Sequence, residues 1–242
     1  MDYLIFQLQA PLSAWGETAV GEFRPTANYP SESALLGLLA AALGIRREEE
    51  DSHAALRKGY GFAIGVLTSG RLLRDYHTAQ VPGRVALKNR PHHTRRDEFN
   101  LPKEDLNTIL STRDYRQDAA SLVAVQMCDG APHTLNDLAQ ALAKPRFTLY
   151  LGRKACPPAS PLNPQIISAD NAQTALHDYR QKLAERSGET ASAFERIVWG
   201  EGIESGMAHD LEVIRKDRLL SRKHWQFGDR IEYIALAPQG EQ

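Results

Sequence analysis

The sequence predicts an α+β fold, with helices on one face of an antiparallel sheet. Three observations carry that expectation: an apolar β-rich opening segment, a strongly apolar helix close behind it, and short apolar runs separated by turn residues. Residues 3–10 read YLIFQLQA, apolar with late alternation, which predicts a strand ended by Pro11. Residues 12–30 contain Gly16, Gly21, Pro25 and Pro30 and predict a long irregular connection. The helix that follows is capped by Ser31 or Ser33, is apolar almost all round, and stops at Gly44. Residues 47–58 predict a second helix, acidic at its start and basic at its end.

Residues 60–67 and 71–77 predict two strands joined at Ser69-Gly70 as a hairpin. Residues 79–112 differ from their surroundings. They hold Pro82, Gly83, Pro91 and Pro102, few large apolar side chains and no periodicity, so a mobile excursion is expected. A core strand is predicted at 122–127, a short helix at 135–143 ended by Pro145, and a short strand at 147–151. The prolines at 157, 158, 161 and 164 make a rigid loop, and strands are predicted at 211–214 and 231–236. Two βαβ-like halves in this order are consistent with a ferredoxin-like core.

Composition narrows the function classes. The longest apolar run, 34–45, has 12 residues, short of the roughly 18 that a membrane span needs. The start, MDYL, lacks a basic n-region, so no secretory signal is expected. Cys128 and Cys156 stand 28 apart without a CxxC pair, which points to neither zinc nor disulfides. A reduced, cytoplasmic protein with no cofactor and no bound metal is the expectation.

The net charge of −1 conceals a separation of charge. Arg84, Lys88, Arg90, Arg95 and Arg96 occupy residues 79–96 with no acid, and Lys144, Arg146, Arg153 and Lys154 occupy residues 144–154 likewise. Residues 215–230 carry six bases against Asp217 and Asp229. The acids gather at residues 48–51 and at Glu185, Glu189, Glu195, Glu201 and Glu204. Separate basic and acidic surfaces suit a protein that meets a polyanion on one side and other surfaces elsewhere; solvated surface charge is the plain alternative.

For catalysis the signals are thin. HExxH, GxSxG and P-loop patterns do not occur, and the only adjacent histidines are His92 and His93. The glycines at 59, 61 and 65 have the wrong spacing for a dinucleotide loop and fall in a predicted strand. Tyr76, His77 and Lys88 are the residue types of a metal-independent ribonuclease, but no spacing forces them together. Nucleic-acid binding has more support. RFTLYLGRK, residues 146–154, interleaves cations with aromatics, and Gly152 at its turn is expected to let a backbone amide approach a phosphate.

Several motifs then point to one family. YLIFQLQAPLSAWG (3–16), RPT (24–26) and YPS (29–31) running into ALLGLL (34–39) resemble the type I-E branch of the CRISPR-associated Cas5 family. RDYHT (74–78), RDY (113–115), KPR (144–146) and YLGRKACP (150–157) match the same family in the same order, so the resemblance covers residues 1–160.

The resemblance implies a ferredoxin-like (RAMP-type) RNA-binding core formed by residues 1–78 and 113–160. It also implies a long basic thumb-like arm at 79–112 and a small C-terminal β-rich region, 161–242, completing or packing on the core. It further implies a non-catalytic subunit of the Cascade surveillance complex. Such a subunit holds the 5′ handle of the CRISPR RNA, caps the backbone filament beside backbone and large subunits, and meets target DNA only through the complex. Members in type I-C systems cut precursor RNA themselves, whereas in type I-E systems a separate subunit does so. Within the matching motifs, Arg24, Arg146, Tyr150, Arg153 and Lys154 are the expected handle contacts. Arg84, Lys88, Arg90, Arg95 and Arg96 are the expected arm contacts to RNA or a neighbouring subunit.

Overall fold

Apolar side chains on both faces of the opening segment dictate its fate as a central strand. In the computed structural model, which describes residues 1–237 apart from His92 and Glu189, this segment is β1 (Asp2–Gln9), with Tyr3 through Phe6 wholly buried. Four two-residue strands punctuate the next loop: β2 (Leu12–Ser13), β3 (Trp15–Gly16), β4 (Phe23–Arg24) and β5 (Thr26–Ala27). The connection expected to be irregular is therefore pinned at four places. Helix α1 (Glu32–Leu43) begins at Ser31, whose hydroxyl accepts from the Ala34 N–H, and ends at Gly44 in the left-handed region. Helix α2 (Glu50–Gly59) leads into β6 (Tyr60–Thr68).

The chain then leaves the body along β7 (Arg71–Pro82), turns through a segment holding the short α3 (Arg95–Phe99), and returns along β8 (Leu106–Gln117). Next come β9 (Ala120–Met127), α4 (Leu135–Ala143), β10 (Gln165–Ser168) and α5 (Ala172–Ser187). The last elements are β11 (Arg196–Trp199), β12 (Leu211–Ser221) and β13 (Gln226–Leu236).

One seven-stranded antiparallel sheet, in the order β10-β1-β9-β6-β11-β13-β12, forms the body. Alternation along β1 sends Leu4, Phe6 and Leu8 into a core with α1, α2 and α4, and Tyr3 and Ile5 into a second core with α5. Helices thus cover both faces, which corrects the one-face expectation. The reason is α5, whose Ala172, Ala175, Leu176 and Tyr179 recur at helical spacing and bury wholly against the sheet.

Two further expectations fail for physical reasons. β6 and β7 do not form a hairpin: β6 pairs with β9 and β11, and β7 pairs only with β8. β6 is apolar throughout and belongs in the middle of the sheet. Gly70, at φ 65°, turns the chain away; a Cβ there would lie 2.2 Å from the Gln117 carbonyl oxygen. Residues 147–151 are not a strand either. The Arg146 and Phe147 N–H groups donate to the Ala42 and Ala41 carbonyls at 3.0 and 3.1 Å, so this backbone satisfies the open end of α1 instead of a sheet edge.

Candidate nucleic-acid interface at the ribbon base

β7 and β8 pair along twelve residues each, from Arg71↔Gln117 to Pro82↔Leu106. At about 3.3 Å per residue the ribbon extends roughly 40 Å from the sheet. The excursion expected at 79–112 therefore starts at Arg71, and half of it is regular strand.

Where the ribbon leaves the body, register alone brings Arg74 opposite Asp114. Asp114 is buried, 4% exposed, and accepts two parallel hydrogen bonds from Arg74: Nε to Oδ1 at 2.8 Å and Nη2 to Oδ2 at 3.0 Å. These hydrogen bonds hold the Asp114 carboxyl below its usual pKa range. The Arg74 guanidinium also lies 5.1 Å from the Phe23 ring centre. On the next strand, β4 runs parallel to β8 and sets Arg24 beside Arg113. Arg116 donates to the Asn28 side-chain oxygen. Arg153 donates to the carbonyls of Asp114 at 3.1 Å and Arg24 at 3.2 Å, and stacks 4.7 Å over the Tyr115 ring. Arg74, Arg116 and Arg153 thus gather around Asp114, which Arg74 already neutralises, and β4 sets Arg24 beside Arg113 at the same ribbon base.

The expected handle residues divide between two places. Arg24 and Arg153 meet at this corner, with exposed Lys154 beside them. Arg24 turns its guanidinium to the Gly21 and Phe23 carbonyls at 2.6 and 3.1 Å. Arg146 lies instead against Gly44 at the C-terminal end of α1, where its charge suits the helix dipole. Tyr150 is partly exposed on that side, near the guanidinium of Arg222. The expected role of Gly152 needs correction. Its N–H donates to the Tyr150 carbonyl at 3.1 Å, and the space a Cβ would fill is occupied by the Ala14 carbonyl oxygen, 1.8 Å away. Glycine is required there, at φ 88°, for backbone packing and not for phosphate approach.

At the ribbon tip, Arg84, Lys88, Arg90, Arg95 and Arg96 are all exposed. Arg95 is engaged with Glu98, with the Gln80 carbonyl at 2.9 Å and with the Phe99 ring at 4.4 Å. The Arg90 guanidinium donates to the Asn100 carbonyl at 3.4 Å. His92 lies outside the described residues. Tyr76, 65% exposed, and His77 are neighbours on β7, so strand alternation sends them to opposite faces of the ribbon, while Lys88 sits beyond its end. Leu72, Leu73, Ile109 and Leu110 also stand exposed on this ribbon.

Arg74, Arg113, Asp114, Tyr115 and Arg116 are the residues that sequence reasoning left out of the candidate site. Their signal was present: the first four lie in the repeated RDY motifs at 74–76 and 113–115, and Arg116 follows the second motif directly.

Over residues 3–231 the chain matches the family profile described as CRISPR-associated protein (Cas_Cas5). This chain belongs to the Cas5 family. Its sequence is 33% identical over 240 residues to the CRISPR system Cascade subunit CasD of Escherichia coli (strain K12), across 96% of this chain and 95% of that one. Its structure is similar to a chain of a CRISPR RNA-guided surveillance complex, with a TM-score of 0.64 and 25% identity over 97% of this chain and 89% of the other. A second solved structure, titled a Cas protein, shares the fold with a TM-score of 0.58 and 23% identity, over 98% and 95% of the two chains. The Cas5 match includes the ribbon and β12 and ends within β13, so it takes in most of the C-terminal third as well as the opening motifs.

Proposed function

We propose that this Cas5-family chain is a non-catalytic subunit of a type I-E CRISPR surveillance complex, and that it binds the 5′ handle of the guide RNA and caps the backbone filament in antiviral defence. The similarity to E. coli CasD along nearly the whole chain is the observation that carries this reading. Three features support its details. The antiparallel order β10-β1-β9-β6, with α1, α2 and α4 on one face, supports a ferredoxin-like RNA-binding core. The arginine corner supplies cations for phosphates, and the ribbon reads as the thumb-like arm, with exposed apolar groups for a neighbouring subunit. Tyr76 and His77 on opposite faces do not make an acid–base pair, which favours binding over cleavage.

The test uses the chain co-purified with backbone subunits and a handle-bearing guide. Lys154→Ala should weaken binding to all sequences and flatten the log–log salt dependence by about 0.7 for the one charge lost. Wild-type affinity and slope in Lys154→Ala would remove that residue from the interface. Precursor RNA incubated with EDTA should stay intact; specific cleavage abolished by His77→Ala would replace this reading with that of a metal-independent ribonuclease.

A further inference from the structure

The hairpin of β12 and β13 carries a buried ion cluster that the proposed RNA site does not use directly. The side chains of Arg230 and Glu232 are 4% and 1% exposed. Arg230 donates to the two Asp217 oxygens at 2.6 and 3.0 Å and to Glu232 at 2.5 Å, with Glu32 3.6 Å away. The Tyr29 hydroxyl donates to Glu232 at 2.7 Å, and the Glu32 backbone N–H donates to Asp217 at 3.1 Å. Arg215 lies 5.6 Å over the Tyr29 ring and 3.7 Å from both Glu232 and Glu17. Burial first, and then the charge of Glu232, push the pKa of Tyr29 up, so its hydroxyl remains a donor at any physiological pH.

Buried ion clusters contribute little net stability relative to apolar packing of the same volume, because desolvation offsets their attraction. What they supply is direction, and here every direction is the same. Glu17, Tyr29 and Glu32 all belong to one segment, and each is held by the hairpin. Between these anchors the segment carries β4 and β5, which lie against the ribbon base and against β3. Its Arg24 carbonyl receives Arg153, and its Asn28 receives Arg116. The two ends of the segment rest on the hairpin while its middle forms one wall of the arginine corner.

We infer that the C-terminal hairpin is a clamp, and that Arg230, Glu232 and Tyr29 are positioning residues that set residues 22–28 against the ribbon base for guide-RNA binding. The inference rests on the proposed RNA-binding reading of that corner. Residues 215–232 would then control the geometry of an interface whose cations come from residues 24–154, without touching RNA.

Tyr29→Phe tests this most gently, since it removes one hydrogen bond and keeps the ring; Glu232→Gln is the second variant. In the assembled complex, Tyr29→Phe should lose about 2- to 10-fold in affinity for handle-bearing guide, the equivalent of one net hydrogen bond. The salt dependence should keep its slope, because no cation is lost. A contribution to stability alone would lower Tm and leave the affinity of the folded complex untouched. Hydrogen exchange of the full chain without RNA should show faster exchange at 22–28 and 112–116. Unchanged affinity together with exchange altered only at the hairpin itself would overturn the clamp. If the wild-type complex fails to bind handle RNA, the proposed function falls. Exchange confined to the hairpin would then overturn the clamp, and exchange reaching 22–28 would uphold its structural half.

Discussion

β6 and β7 are separated by two residues and share little else. β6 sits between β9 and β11 with helices over both faces, and seven of its nine residues are buried. β7 pairs with β8 alone, and none of its twelve residues is buried. Both contain large apolar side chains, Phe62 and Ile64 in one, Leu72, Leu73 and Tyr76 in the other. The difference shows that apolar content does not by itself bury a strand. A two-stranded ribbon has no second layer to cover it, so its apolar groups stay in water.

This contrast can be broken by substitution. The largest effect is expected in the body: Leu122→Ala, at a wholly buried position on β9, should lower unfolding free energy by about 2–5 kcal/mol in denaturant titrations. Gly152→Ala should come next. The left-handed backbone alone costs a non-glycine residue about 1–2 kcal/mol, and the Ala14 carbonyl adds a clash, so a clear fall in Tm is expected with RNA affinity falling alongside as Arg153 shifts. A Tm equal to wild type would show that the loop yields easily and is no part of the rigid body.

Acid should loosen the ribbon base before the body. The pKa of Asp114 is depressed in the folded state, so its stabilising contribution is present above its unfolded value and is lost as pH falls through the folded one. Exchange of amides at 72–76 and 112–116 should therefore accelerate reversibly below about pH 4. Asp114→Asn should show the accelerated rate already at pH 7, with no further step on acidification. The smallest effect is expected on the ribbon itself. Ile109→Ala, at a site 45% exposed, should change the stability of the free chain by less than about 0.5 kcal/mol while reducing its retention in the reconstituted complex. A loss approaching that of Leu122→Ala would mean that the ribbon is packed and the comparison fails.

What the sequence by itself determined is local. Ser31 or Ser33 and then Gly44 mark the ends of α1, Pro145 marks the end of α4, and the apolar runs of β1, β6 and β9 identify core strands; the structure selects Ser31 as the cap of α1. These signals act within a few residues of backbone, through caps and periodicity, and need no partner to be read. α5 was equally readable from its helical spacing of Ala172, Ala175, Leu176 and Tyr179, and was missed because its charged face dilutes the apolar one. Of the candidate site, the motifs identified Arg24 and Arg153. The pairing of Arg74 with Asp114 depends on a register between strands forty residues apart, and the meeting of Arg24 with Arg153 on a contact 129 residues apart in the chain. The tertiary structure alone decided that β7 leaves the sheet, that residues 146–147 close the end of α1, and that Tyr29 and Glu17 answer to Arg215 and Glu232 two hundred residues later. In each case a backbone group or a buried charge required a partner, and no local pattern specifies which distant part of the chain supplies it.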